Sequence, residues 1–101
     1  MTIANQLPDF SVIVWVRLNE SFDELRSELL AIAPVEPYQM FQYQGMVDFH
    51  WGFDDISDAQ DLAAAFGDLV DRPEIAVLHI LSNVDAIESI SIKDDLGISP
   101  Q

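Results

Sequence analysis

From Pro8 to Leu18 apolar side chains recur at every second position. Phe10, Val12, Val14, Val16 and Leu18 alternate with Ser11, Ile13, Trp15 and Arg17. Period two predicts a strand, and the purely apolar set marks the side facing the core. The period then changes. Ser21 to Ala33 places Phe22, Leu25, Leu29 and Ile32 at helical spacing. Ser21-Phe22-Asp23-Glu24 reads as a capping box for this helix, and Pro34 and Pro37 end it. Tyr38 to Phe53 predicts a hairpin around Gln44-Gly45, with Val47, Phe49, Trp51 and Phe53 as the apolar face of its second arm.

Asp55 to Asp71 predicts a second helix. Ser57-Asp58-Ala59-Gln60 forms its capping box, and Ala59, Leu62, Ala63, Phe66, Leu69 and Val70 form its buried stripe. Gly67 within it suggests close packing on the sheet, and Pro73 stops it. Glu74 to Leu81 is a nearly continuous apolar strand interrupted by His79. Beyond the Asn83-Val84-Asp85-Ala86 turn, Ile87 to Lys93 alternates again and predicts a last, shorter strand pairing with the preceding one.

The predicted order is β-α-β-β-α-β plus one C-terminal strand. This is the ferredoxin-like order: a two-layer α+β sandwich with an antiparallel sheet and both helices on one face. Another two-layer α+β sandwich with a different strand order is the alternative, because the added strand has no place in the basic pattern. Residues 1–93 are expected to form a single domain and residues 94–101 a loose C-terminal tail.

Composition narrows the class. Half of the 101 residues are hydrophobic, enough for one core, and there is no cysteine for a disulfide, a thiolate metal site or a thiol nucleophile. The opening Met1-Thr2-Ile3-Ala4-Asn5-Gln6-Leu7-Pro8 lacks the basic and apolar regions of a signal peptide, and no apolar run is long enough to span a membrane. A cytoplasmic protein is therefore expected, and the Asn19-Glu20-Ser21 sequon is read as coincidence.

Charge changes the picture most. Eighteen Asp and Glu oppose only Arg17, Arg26, Arg72 and Lys93, for a formal net charge of −14. Direct contact with nucleic acid or an anionic membrane is disfavoured, because phosphates need Lys and Arg. A basic protein partner is attracted and steered instead. On the first helix Glu20, Glu24 and Glu28 recur every fourth residue, with Asp23 beside them, opposite the buried stripe. On the second, Asp58, Asp61, Asp68 and Asp71 fall within about 140° of arc, with Asp54 near the same line. Two such helices on one sheet face are expected to present one continuous acidic surface.

In size, charge and lack of catalytic motifs the chain resembles immunity proteins of toxic nucleases and inhibitors that mimic nucleic acid. The resemblance implies a non-enzymatic module whose carboxylates stand in for phosphates on a basic, possibly nucleic-acid-processing, protein. A solvated surface serving solubility or a high-salt habit is the plainer reading. A calcium site is not expected, since no Asp-x-Asp-x-Asp-Gly loop is present.

The helix-free sheet face offers a rival site. It is expected to carry Ile13, Trp15 and Arg17, then Tyr38, Met40, Met46, Asp48 and His50, then Ile75, Val77, His79 and Leu81. So apolar a face predicts a cover: a homodimer partner, a small-molecule ligand or the C-terminal segment. Asp48 and His50 lie two apart on one strand and can orient an imidazole for acid–base work. His79 is expected about 10 Å from His50 in backbone terms, two strand spacings away, an awkward distance for sharing one metal, and no third ligand is evident. Arg17 is expected near Asp48 as a cross-strand ion pair, and Trp15 is the better interface anchor of the two tryptophans. Phosphate loops, dinucleotide fingerprints, nucleophile elbows and zinc-helix motifs are all missing, so no catalytic residue, cofactor or metal is assigned.

Overall fold

The computed structural model describes residues 7–84 and 89–97. It is an α+β structure of five strands and two helices. The strands are β1 (Phe10–Arg17), β2 (Gln39–Tyr43), β3 (Met46–Phe53), β4 (Ile75–Ser82) and β5 (Ile90–Asp94). The helices are α1 (Phe22–Ile32) and α2 (Ile56–Ala65), the latter followed by a 3₁₀ turn at Phe66–Asp68. All pairings are antiparallel, in the order β2-β3-β1-β4-β5.

The even residues of β1 drive this arrangement. Phe10, Val12, Val14 and Val16 meet Val47, Phe49 and Trp51 of β3 and Ile75, Leu78 and Ile80 of β4 in one buried cluster. The helices close that same cluster with Leu25 and Leu29 of α1 and Ala59, Leu62 and Ala63 of α2. Phe49 stacks on Trp51 at 5.6 Å and 9°, and Phe22 of α1 leans on Phe49 at 6.3 Å. Strands β1 and β4 are buried on both faces, whereas β3, also interior, is fully buried only on its core side.

Local details depart from the sequence pattern. Ser21 precedes α1 but makes no side-chain cap, and Ile32 ends α1 exposed. The cap of α2 is Asp55, not Ser57: its carboxylate accepts the Ser57 N–H at 2.9 Å and the Ser57 hydroxyl at 3.0 Å. An aspartate two residues upstream satisfies the orphan N–H in extended backbone, so the helix starts one residue before Ser57. The helix is also shorter than expected, tightening to 3₁₀ before Gly67. A Cβ at Gly67 would meet nothing within 4 Å, so that glycine marks the helix end rather than close packing.

Strand β2 carries the reverse parity on the sheet. A two-residue turn with Gln44 at φ 51° and Gly45 at φ 78° sets Tyr43 opposite Met46 and Phe41 opposite Asp48. Phe41 and Tyr43 therefore occupy the helix-free face, and Met40, opposite Phe49, does not. An irregularity between Trp15 and Val16 shifts the β1–β4 register and turns Ile75 into the core. The last strand runs to Asp94 rather than ending at Lys93, and the Asp95 N–H donates to the Ala76 carbonyl. Residues 85–88 and 98–101, including the start of the predicted last strand and the end of the predicted tail, lie outside the described residues. No helix among the described residues is long and apolar enough to cross a membrane.

Candidate functional site

Two surfaces carry the residues singled out from sequence. On the helix layer Glu20, Asp23, Glu24, Asp54, Asp58, Asp61, Asp68 and Asp71 are all exposed. Their positions differ from one regular double stripe. Glu20 precedes α1, Asp68 sits in the 3₁₀ turn, and Asp71 follows it, so the helical arc does not extend to them. Glu28 is half-buried and accepts from the Arg72 guanidinium at 3.0 Å.

The basic residues explain why this layer stays negative. Three of the four engage the segment that links α2 to β4. Arg17 donates to the Pro73 carbonyl. Lys93 donates to the Val70 carbonyl at 2.7 Å and the Arg72 carbonyl at 3.1 Å. Arg72 bridges Glu28 and the buried Glu74, the latter at 3.4 Å. The fourth, Arg26, lies 3.6 Å from Asp23 and over the Phe22 ring. Burial works against the Arg72 charge, but the Glu74 and Glu28 carboxylates outweigh it and raise its pKa. Glu74 is held below the usual carboxylate range by its own backbone N–H first, then by Arg72 and Ser21, against the opposing effect of burial. At Asp55 the Ser57 N–H and hydroxyl lower the carboxyl in the same way.

The helix-free face is organised by hydrogen bonds. Ser11, fully buried, shares one with the Tyr38 hydroxyl at 2.8 Å. The Tyr38 hydroxyl lies 3.3 Å from Nδ1 of His50. Nε2 of His50 meets Oδ2 of Asp48 at 2.9 Å. The other oxygen, Oδ1, is equally near at 2.8 Å but lacks hydrogen-bond alignment and meets no donor. Asn83 ties the far end to the chain, donating to the Pro8 carbonyl and to Ser11. Gly52 is needed here, because a Cβ on it would lie 2.6 Å from the Pro8 ring and 3.2 Å from Tyr38.

Asp48 thus pairs with His50, and the expected Arg17–Asp48 pair gives way to the Arg17–Pro73 bond. Trp15, not Arg17, stands opposite Asp48 on β1, while Arg17 stands opposite Met46. His50 and His79 flank Ile13 in register, one on each neighbouring strand. Among the described residues no three His, Asp or Glu side chains gather where a metal ion could bind. The middle of this face is not an exposed apolar patch: Ile13, Val77 and His79 are buried within the chain itself. The exposed apolar surface has moved to the edge, where Phe41 and Tyr43 are 57% and 51% exposed.

Beside that edge lies a cavity of about 250 Å³ lined by Trp15, Phe41, Tyr43, Met46 and Asp48. Reading the sequence alone places Trp15, Met46 and Asp48 together but misses both β2 aromatics. The signal was present in the two-residue turn, which fixes the parity of β2 once Met46 is put on this face. Compared with known proteins, the chain matches no family model, no curated protein and no solved structure.

Proposed function

We propose that this is a ferredoxin-like, non-enzymatic interaction module of the immunity or inhibitor type, which binds a basic protein through its helix layer. Antiparallel β2-β3-β1-β4 order with two helices on one face supports the ferredoxin-like assignment, with β5 added at the β4 edge. The observation that carries the functional reading is the disposition of charge. Carboxylates of the helix layer are exposed, while Arg17, Arg72 and Lys93 hold carbonyls or carboxylates around residues 70–74 and Arg26 alone sits on the layer, beside the exposed Asp23. A partner that supplies its own Lys and Arg meets one cation there, Arg26, and has only its loose surface pair with Asp23 to displace.

The test is capture of host proteins on the immobilised chain at low salt, with each captured protein identified and its charge determined. Basic proteins retained at low salt and released at high salt are the expected result. An Asp58→Asn/Asp61→Asn/Asp68→Asn chain should lose them, and Trp15→Ala should keep them. Capture that ignores both salt and the triple substitution overturns the proposal.

A second reading places a small-molecule site on the helix-free face, alone or at a homodimer seam. The hydrogen-bonded run from Ser11 through Tyr38 and His50 to Asp48, ending beside an open cavity, favours it. Orienting an acidic group at the floor of an apolar cavity is the usual form of a ligand pocket.

A further inference from the structure

We infer that the cavity between β1 and β2 is a binding site for a small alkylated ammonium group, a quaternary or methylated amine. The inference rests on the small-molecule reading of the helix-free face and gives it a ligand class. Its geometry follows from register. Asp48 sits on the middle strand β3, with Phe41 directly opposite on β2 and Trp15 directly opposite on β1. One row along, Met46 has Tyr43 on its β2 side. Two strand spacings separate the aromatic walls, about 10 Å between backbones. The result is a trough with the His50-paired carboxyl of Asp48 on its floor and aromatic rings at its sides.

That lining selects among cations. Ring faces attract positive charge, and the attraction strengthens as water is excluded. A primary ammonium needs acceptors for its N–H groups, and the lining offers mainly ring carbons and a thioether beside one carboxylate already engaged by His50. An alkylated ammonium has few or no N–H groups to satisfy. It presents methyl groups to Trp15, Phe41, Tyr43 and Met46, and its charge feels Asp48 without requiring a hydrogen bond. Arg17 does not compete for Asp48, since it stands opposite Met46 and donates to Pro73; His50 contacts the carboxyl through Nε2. A volume of about 250 Å³ suits a headgroup of a few heavy atoms rather than a large ligand.

The test titrates the whole chain with choline and, separately, with 3,3-dimethylbutan-1-ol, its uncharged isostere, using calorimetry and amide NMR. Choline should bind saturably, with shifts centred on residues 15, 41, 43, 46 and 48, and about tenfold more tightly than the alcohol. Phe41→Ala, at an exposed edge, should weaken choline about fivefold or more without unfolding the chain. Asp48→Asn should weaken choline about tenfold and leave the alcohol unchanged. A trimethyl-lysine peptide that binds more tightly than choline assigns the group to a protein tail, and the reverse assigns it to a free molecule; both support the inference. Equal binding of choline and the alcohol overturns the ammonium inference while leaving an apolar ligand site. Binding of neither overturns both. Asp58→Asn/Asp61→Asn/Asp68→Asn should leave the choline shifts in place, which separates this site from the helix layer.

Discussion

Replacing Trp51 by phenylalanine sets two opposing terms against each other at one core position. Trp51 is fully buried between Phe49 and Phe66, the latter ring 5.1 Å away and tilted by 56°. Its indole Nε1–H meets no hydrogen-bond acceptor. Phenylalanine lacks that donor and keeps one six-membered ring for the stack. The change removes about two buried carbons, worth about 1.6 kcal/mol at about 0.8 kcal/mol each. A partly relaxed cavity adds about 1 kcal/mol. Removing a buried unsatisfied donor returns about 1–3 kcal/mol. The terms nearly cancel, so Trp51→Phe should fall between a cost of about 1.6 kcal/mol and a gain of about 0.4 kcal/mol.

The size of the ring still matters at this site. Trp51→Ala, which abandons the stack, should cost about 3–5 kcal/mol. Urea unfolding followed by far-UV circular dichroism measures both variants, and Trp15 remains as the single tryptophan for a second, fluorescence probe. A cost above about 3 kcal/mol for Trp51→Phe would show that the indole N–H makes a stabilising contact in the native state, and the argument from an orphaned donor would fail.

Acid should act through two carboxyls. Glu74 and Asp55 sit below their ordinary values of 4.5 and 3.8, so the native state favours their ionised forms. Their stabilisation is fully present above the unfolded values and is lost as pH falls through about 4 towards the native values. Thermal unfolding between about pH 6 and 2 should show the melting temperature falling on that limb, less steeply in Glu74→Gln; an equally steep limb in that variant refutes the assignment. Arg72, whose pKa its two carboxylate partners raise further, stays charged throughout and adds no slope in this window. Gly52→Ala should destabilise by about 1–3 kcal/mol, because its Cβ collides with the rigid Pro8 ring, and amide NMR should show Tyr38 and Ser11 disturbed together. Gln44→Asn should stabilise by about 0.5 kcal/mol in urea unfolding, since asparagine tolerates the left-handed φ that Gln44 adopts; a loss of stability refutes that account.

Much of the fold was legible because β1 and β3 repeat strictly at period two and the helices at 3.6. Phe10, Val12, Val14 and Val16 against Val47, Phe49 and Trp51 leave little freedom for the central pairing. What escaped the pattern was decided by backbone detail. The irregularity between Trp15 and Val16 reverses the facing of Ile75, and no side-chain period announces it. Strand β2 has apolar residues at 40, 41 and 43, so alternation alone does not choose a face, and every residue in it is exposed. Capping follows the same logic. Asp55 and Ser57 are both good N-caps, and the choice between them turns on whether the backbone at position 55 is extended, which it is. Partner choice among the few basic residues was equally hidden, because Arg17 and Lys93 reach carbonyls, which every residue carries.

That convergence of Arg17, Arg72 and Lys93 on residues 70–74 has a consequence for both proposed sites. A chain of net charge −14 with three of its four cations drawn to one segment attracts any positive solute over a Debye length of about 8 Å, without regard to its chemistry. Long-range charge therefore cannot tell a basic protein from a small ammonium; only the contact surface can. The helix layer offers hydrated carboxylates spread across two helices and the turn after them, which favours a partner presenting several guanidinium or ammonium groups at once. The trough offers a single carboxylate between aromatic walls, which penalises a hydrated primary ammonium and favours an alkylated one. Salt separates the two. Binding that depends on many exposed charges weakens steeply as salt rises, whereas binding that rests on ring contacts and one sheltered carboxylate declines gently.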